Sequence, residues 1–346
     1  MTPASDVTAG VPRVGLIVNP FAGRDVRRII APAGMITNYE RTNIVRCLLG
    51  GLAAAGVRDV LYLPERYGIV ERAAAGVPGA RVAPVLEDPE GTPADTSRAA
   101  RAMAEAGVGV LVTLGGDGTN RLAALGGRGV PMLPVPAGTN NAFAAPVEPT
   151  GAGFAAGMVA TLGVEGALAA GCLRRRKRIT VEVDGRSDLA LVDAVLTTEP
   201  AVGARAVWQP EHLRVLVVSQ AEPGAIGLSS LAAALLPIDA DEPRGAVIEM
   251  GPGARVVVPL TPGVFTSAEV QSVRAVPVGE RIVAGPATGT VSLDGERTFE
   301  LRDQVMTMAL EADGPWVVDV PRALAYAQRS GWYQAGRHQG TRRAVY

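Results

Sequence analysis

The sequence predicts an α/β domain built on a doubly wound parallel sheet, followed by a β-rich antiparallel domain. Three observations carry this expectation. In the first half, short apolar runs alternate with helical periodicity, the pattern of a parallel sheet covered on both faces. In the second half, β-rich runs separated by turn residues replace that alternation. The length of 346 residues suggests two domains, and a hydrophobic content of 48% is enough to fill two cores.

Residues 1–12 read as a loose tail and 13–165 as the α/β domain. Val14-Gly15-Leu16-Ile17-Val18 is a short strand that ends at Asn19-Pro20. Thr37 and Glu40 have capping-box spacing. Ile44, Leu48, Leu49 and Leu52 follow at helical spacing, and Gly56 closes that helix. A second strand at 60–63 stops at Pro64, residues 66–75 form a short helix, and 82–86 a third strand. Asp95 is expected to cap a helix running through Ala106, with Gly107 as its stop. A buried strand at 108–114, a glycine turn, a helix from about Thr119 and a strand at 132–135 complete the alternation.

The boundary falls near 165–178, where Gly163, Gly166 and Gly171 precede the run Arg174-Arg175-Arg176-Lys177-Arg178. That run reads as a solvated segment, with an interaction patch as the alternative. Residues 175–314 make the β-rich domain. Its first hairpin is signalled by Asp184-Gly185 between Ile179–Val183 and Leu189–Val192. Further β-rich runs stand at 213–218, 246–250, 255–260, 281–284 and 290–293, and only Leu228 to Leu236 looks helical. Residues 315–346 form a C-terminal segment whose helical pattern at Ala323 to Ala327 is expected to return to the first domain.

Composition removes several function classes. A net charge of -1 argues against nucleic-acid binding, which needs an excess of basic residues. Cys47 and Cys172 have neither metal-ligand nor redox spacing, so a cytoplasmic protein without a disulfide framework is expected. No apolar run reaches transmembrane length, and the N-terminus lacks a signal pattern. The histidines are His212 and His338, neither in a zinc or Ser-His-Asp motif. Lys177 is the only lysine, and it does not follow a glycine loop. A Walker A loop is thereby excluded, and phosphate chemistry has to rely on arginine, backbone amides and metal.

Three loops carry the candidate chemistry. Gly115-Gly116-Asp117-Gly118-Thr119 stands where a buried parallel strand meets a helix. Glycines there let the backbone approach phosphates, and the helix supplies unpaired N–H groups. Asp117 can hold Mg²⁺ or accept a proton; the alternative is a tight turn with a local cap. Gly138-Thr139-Asn140-Asn141 has the same placement after the strand at 132–135, with two amides suited to ribose or phosphate or to turn and cap duty. Asn19-Pro20-Phe21-Ala22-Gly23-Arg24 ends the first strand, and Arg24 is either a phosphate clamp or an ordinary surface arginine.

VNPFAGR, TLGGDGTN and PVPAGTNNAFA, in this order, resemble the superfamily of NAD kinases, diacylglycerol kinases and sphingosine kinases. MITNYERTNIVRCLLGGL, VDAVLTTEPAVGARAVW, EPGAIGLSSLAAAL and VSLDGERTFEL resemble the NAD-kinase-like acetoin-catabolism protein X family. The resemblance implies an active site between the two domains. It implies phosphate and nucleotide binding by Asn19, Gly23, Arg24, Gly115, Gly116, Gly118, Thr119, Gly138, Thr139, Asn140 and Asn141, with Asn140 and Asn141 aligning only loosely. Asp117 is implied as catalytic and as the metal ligand. Asp294-Gly295-Glu296 reads as a hairpin turn, but the resemblance makes Glu296 a candidate general base. Gly224 to Leu231 resembles a dinucleotide-holding loop without its usual threonines and tyrosine.

The expected activity is a kinase: ATP or another donor, with Mg²⁺, phosphorylating a hydroxyl of NAD or a related small molecule, with a link to acetoin catabolism. The alternatives are a lipid kinase and a nucleotide-binding regulator without turnover. The expected partners are a nucleotide and a small-molecule acceptor, without nucleic acid or integral membrane association. Assembly into a homo-oligomer is compatible with this reading.

Overall fold

The computed structural model describes residues 11–23, 36–198 and 209–334. Arg24, nearly all of the expected N-terminal tail and the end of the C-terminal segment lie outside the described residues. Two sheets organise the chain. The first has seven strands in the order β3-β2-β1-β4-β5-β15-β6. These are β1 (Arg13–Val18), β2 (Asp59–Tyr62), β3 (Arg81–Pro84), β4 (Val110–Gly115), β5 (Met132–Pro136), β6 (Leu173–Arg175) and β15 (Trp316–Val318). All neighbours are parallel except β15 and β6.

β1 is buried along nearly its whole length because both faces of the sheet are covered. Leu16 and Val18 belong to one apolar layer and Ile17 to the other. The first layer is closed by α1 (Asn38–Ala54), α5 (Pro149–Ala169) and α7 (Val320–Arg329), and the second by α3 (Pro93–Glu105) and α4 (Asp117–Gly126). A short α2 (Ile69–Ala74) follows β2. The strand order reverses between β1 and β4, and in such sheets the crevice beyond the carboxyl ends at this reversal is where ligands bind.

Thr37 and Glu40 form a capping box for α1, the Glu40 amide donating to Thr37 Oγ1 at 3.1 Å. For α3 the expected cap was one turn off. Thr92 is the N-cap, and Asp95 is its N3 partner, accepting from the amides of Gly91 at 2.7 Å and Thr92 at 3.1 Å. α5 was not expected from the sequence at all. Its Gly/Ala-rich surface is buried on several sides, so no apolar stripe marks it. Contrary to the expectation of no such run, α5 is long and apolar enough to cross a membrane, but 56% of its most apolar stretch is buried within the fold. It packs between α1 and α7.

The α1–α5 crossing is a backbone contact. A Cβ built at Gly153 would lie 2.2 Å from the Leu48 carbonyl oxygen, and one at Gly51 would lie 2.1 Å from that of Thr150. Both obstacles are helical backbone and cannot swing aside. Gly153→Ala is therefore expected to lower stability by about 1–3 kcal/mol, despite the better helix propensity of alanine. Denaturant unfolding checks this, and an unchanged midpoint would contradict the crossing.

The second sheet is antiparallel throughout, in the order β12-β11-β10-β9-β13-β14-β7-β8. It contains β7 (Arg178–Val183), β8 (Arg186–Ala190), β9 (Asp193–Thr197), β10 (Leu213–Val218), β11 (Arg244–Thr261), β12 (Val264–Pro277), β13 (Arg281–Leu293) and β14 (Glu296–Glu311). The runs expected at 246–250 and 255–260 are one strand, β11, with a register shift between Met250 and Ala254. Those at 281–284 and 290–293 are likewise joined as β13. β12 was not among the expected β-rich runs and β14 was expected only as the second arm of the hairpin at Asp294-Gly295; both alternate apolar and polar residues and lack the continuous apolar runs that marked the other strands. The expected helix at 228–236 shrinks to α6 (Ser229–Ala233).

The basic run is only partly solvated: Lys177 is buried, Arg174, Arg176 and Arg178 are half-buried, and Arg175 is exposed. Arg174 pairs with Asp319 and with Asp241 at 2.6 Å. The Arg175 guanidinium lies 4.9 Å from the Trp316 ring centre, and that of Arg176 lies 5.0 Å from that of Phe143. Lys177 is buried and donates to the carbonyls of Asp239, Glu242 and Arg244 at 3.1, 2.6 and 2.7 Å. Arg178 pairs with Glu311 and Asp313. The run consumes its charge internally where the two sheets meet, beside an apolar contact of Phe143, Leu189, Leu191 and Val192.

Candidate functional site

The loops after β1, β4 and β5 open into one cleft of ≈1280 Å³, whose far wall comes from the antiparallel sheet. Asn19, Gly23, Gly116, Asp117, Gly118, Thr119, Gly138, Thr139 and Asn140 line it, together with Asp193, Ile226–Leu228 and Asp294–Glu296.

The loops are tied to one another. Asn19 accepts from the Phe21 amide at 2.9 Å and donates its amide N–H to Thr119 Oγ1 at 3.0 Å, joining the first loop to the turn after β4. The Asp117 carboxylate accepts from the backbone amides of Ala142 at 2.8 Å and Phe143 at 3.1 Å, joining that turn to the loop after β5. The Ala142 carbonyl accepts from Gln220, whose own side-chain oxygen accepts from Arg176. Arg176 of the basic run thus braces the loop that braces Asp117.

Asn140 and Asn141 do different things. The Asn140 side-chain nitrogen lies 2.7 Å from where a Cβ at Gly227 would stand, at the contact between the two sheets. Asn141 folds back, its Oδ1 accepting from the Gly138 amide at 2.9 Å and its Nδ2 donating to the Gly138 carbonyl at 3.0 Å. It shapes the loop and is not among the cleft-lining residues. Gly115 also lies beneath the cleft, and the Thr119 side chain covers its Cα.

Asp294-Gly295 is the two-residue turn joining β13 to β14, with φ of 50° and 78°, the left-handed pair such hairpins need. The turn faces the cleft. A Cβ at Gly118 would lie 2.6 Å from Glu296 Oε1, so the Glu296 carboxylate rests on the first turn of α4, and only a glycine leaves room for it. Among the described residues, the Glu296 side chain has no hydrogen-bond or ion-pair partner.

Sequence reasoning missed Asp193 and the cleft role of Asp294. The buried Asp294 carboxylate accepts from the amides of Leu191 at 2.8 Å, Val192 at 2.7 Å and Asp193 at 3.1 Å. Burial, with the Asp117 charge adding to it, pushes its pKa up to about 7, against the pull of those amides and of Arg121. A carboxyl raised in the folded state binds protons that the unfolded chain has lost. Its contribution to stability therefore falls as pH rises from about 4 to about 7. Asp294→Asn is expected to flatten that part of the stability–pH profile, as measured by denaturant unfolding between pH 4 and 8. An unchanged profile would contradict the assignment.

The lining carries seven carboxylates, those of Glu65, Glu90, Asp95, Asp117, Asp193, Asp294 and Glu296, against one described guanidinium, that of Arg66. Backbone amides or Arg98 engage Glu65, Glu90, Asp95, Asp117 and Asp294 among them. Among the described residues no three His, Cys, Asp or Glu groups gather into a metal cage. The carboxylate chemistry of the cleft nevertheless suits Mg²⁺, which is ordinarily held by one or two carboxylates together with substrate phosphates.

Comparison with known proteins agrees with this architecture. Residues 14–160 match the ATP-NAD kinase N-terminal domain, and residues 177–313 match the acetoin catabolism protein X C-terminal domain. Acetoin catabolism protein X of Cupriavidus necator is 37% identical over 336 residues, an alignment covering 92% of this chain and 93% of that protein. Among solved structures, a putative diacylglycerol kinase from Bacillus anthracis str. Sterne aligns over 90% of this chain and 98% of its own at 13% identity, with a TM-score of 0.42. A second diacylglycerol kinase structure from that organism gives 0.40 at the same identity and coverage. With a relative this similar along nearly its whole length, the chain belongs to the acetoin catabolism protein X family, and its first half matches the ATP-NAD kinase N-terminal domain.

Proposed function

We propose that this protein is an ATP-dependent phosphotransferase of the NAD kinase type, acting on a hydroxyl of NAD or a related small molecule linked to acetoin catabolism. The observation that carries the reading is the Glu296 carboxylate, resting on Gly118 at the first turn of α4 without a side-chain partner among the described residues. A general base needs free lone pairs where the acceptor hydroxyl arrives, and the N-terminus of α4 supplies amides for the phosphates. The chain has little covalent work to do: Gly116, Gly118, Thr119 and Asn19 position the phosphates, and Glu296 takes the hydroxyl proton. Arg24 would clamp the phosphates from the first loop. Asp117, with the substrate phosphates, would hold Mg²⁺. When bound, Mg²⁺ neutralises phosphate charge in a cleft rich in carboxylates. Two free cysteines suit a cytoplasmic setting.

The test is thermal shift followed by transfer assays. ATP with Mg²⁺ should raise the melting temperature; at about 100 times its dissociation constant the gain is about 2.7 kcal/mol. EDTA should abolish most of it, because carboxylates would then face uncompensated phosphates. Transfer from labelled ATP to NAD, NADH, acetoin-related alcohols, diacylglycerol or sphingosine then identifies the acceptor. Binding without transfer to any of them would favour a nucleotide-binding regulator, a reading supported by the missing threonines and tyrosine in Gly224 to Leu231. Absence of any nucleotide effect would overturn both readings.

A further inference from the structure

The cleft extends away from Glu296, past the ends of β1 and β2, to a wall that phosphoryl transfer itself does not require. Phe21 and Arg66 both line this arm. The Arg66 guanidinium lies 4.8 Å from the centre of the Phe21 ring and 4.9 Å from that of Tyr67, and the two rings meet edge to face at 6.0 Å. Arg66 also donates to the Tyr67 hydroxyl at 2.8 Å. Both backbones are held: the Phe21 amide donates to Asn19 Oδ1 at 2.9 Å, and the Tyr67 amide donates to Glu65 at 2.6 Å. Yet Phe21 remains 43% exposed, a large ring left partly open at the cleft.

We propose that the Phe21–Arg66 pair is the stacking platform for the base of the donor nucleotide and sets the preference of the site for a nucleotide over an inorganic phosphate chain. This rests on the phosphotransferase reading. A guanidinium lying over one face of an aromatic ring makes a flat stack, whose open faces favour a planar π-system over an aliphatic chain. The platform is two residues from Asn19, whose side chain donates to Thr119 in the phosphate turn. A base on the platform and phosphates at the N-terminus of α4 therefore belong to one ligand. Arg66 is the only described guanidinium in the lining, so its alternative use is as a phosphate clamp, and the two uses separate experimentally.

Calorimetric titration of the full chain with Mg²⁺–ATP and with Mg²⁺–tripolyphosphate decides between them. The wild type should bind ATP about tenfold or more tighter than tripolyphosphate, the scale of one base–aromatic stack. Phe21→Ala should weaken ATP binding by about tenfold and leave tripolyphosphate unchanged, and Phe21→Tyr should restore ATP binding. Arg66→Ala should also weaken ATP selectively. Equal affinity of the wild type for the two ligands, or equal losses for both ligands in the variants, would overturn the platform and leave the phosphotransferase reading standing. Failure of both ligands to bind the wild type would overturn the two together. Phe21 is partly exposed, so unchanged melting of Phe21→Ala provides the folding control.

Discussion

Asp117→Asn is expected to lower the rate of phosphoryl transfer by at least about 10²-fold, the scale of losing a metal ligand or a proton acceptor. The structure adds a second consequence. Both carboxylate oxygens of Asp117 accept backbone amides, from Ala142 and Phe143. An asparagine offers one oxygen, and its NH₂ would face the other donor. One amide is left unsatisfied at a cost of about 1–3 kcal/mol, so the variant should also melt earlier. Loss of rate could then come from loss of charge or from loosening of the loop after β5. Asn141→Ala separates the two, because it opens the ring between Asn141 and Gly138 in the same loop without removing a charge. Steady-state rates and melting of both variants are the measurement. If Asn141→Ala loses as much rate as Asp117→Asn, the carboxylate matters only as a brace. If Asp117→Asn keeps near wild-type rate, its assignment to the chemistry is wrong.

Glu296→Gln should act on turnover alone. The amide cannot take a hydroxyl proton, so kcat should fall by about 10²-fold or more while nucleotide affinity stays nearly unchanged. The Glu296 side chain is partly exposed and, among the described residues, makes no hydrogen bond that the substitution would break, so stability should change by less than about 0.5 kcal/mol. Gln is nearly the same size and still fits over Gly118. Parallel measurement of kcat, nucleotide dissociation constant and melting temperature tests all three statements. An unaltered kcat would make Glu296 an ordinary residue beside a hairpin turn, and a rise in the dissociation constant equal to the fall in kcat/KM would make it a binding group.

Much of the molecule was legible in the sequence because it depends on short-range chemistry. The capping box at Thr37 and Glu40, the Asp184-Gly185 turn and the strand ends at Asn19 and Gly115 are written within a few residues each. The glycine-rich turn around Asp117 could be placed between a buried strand and a helix, because an apolar run and a helical pattern flank it in the sequence. Features set by what packs against a segment were not legible. α5 carries no apolar stripe because α1, α7 and the sheet surround it, so periodicity is silent. The polar alternation of β12 marks the edge of a sheet, which exists only once β11 has folded beside it. The run at 174–178 looks wholly solvated in sequence, since nothing local reveals the carboxylates, carbonyls and rings that it meets in the fold. The same limit governs the site. By itself the sequence determined that an α/β part precedes a β-rich part and that a glycine turn joins a buried strand to a helix, and it excluded a lysine-based loop. Tertiary structure alone decided that Asp294 is buried, that Asn141 serves its own loop, and that Glu296 stands over Gly118. Those placements require residues far apart along the chain to meet, and no local spacing encodes the closing of one sheet onto the end of another.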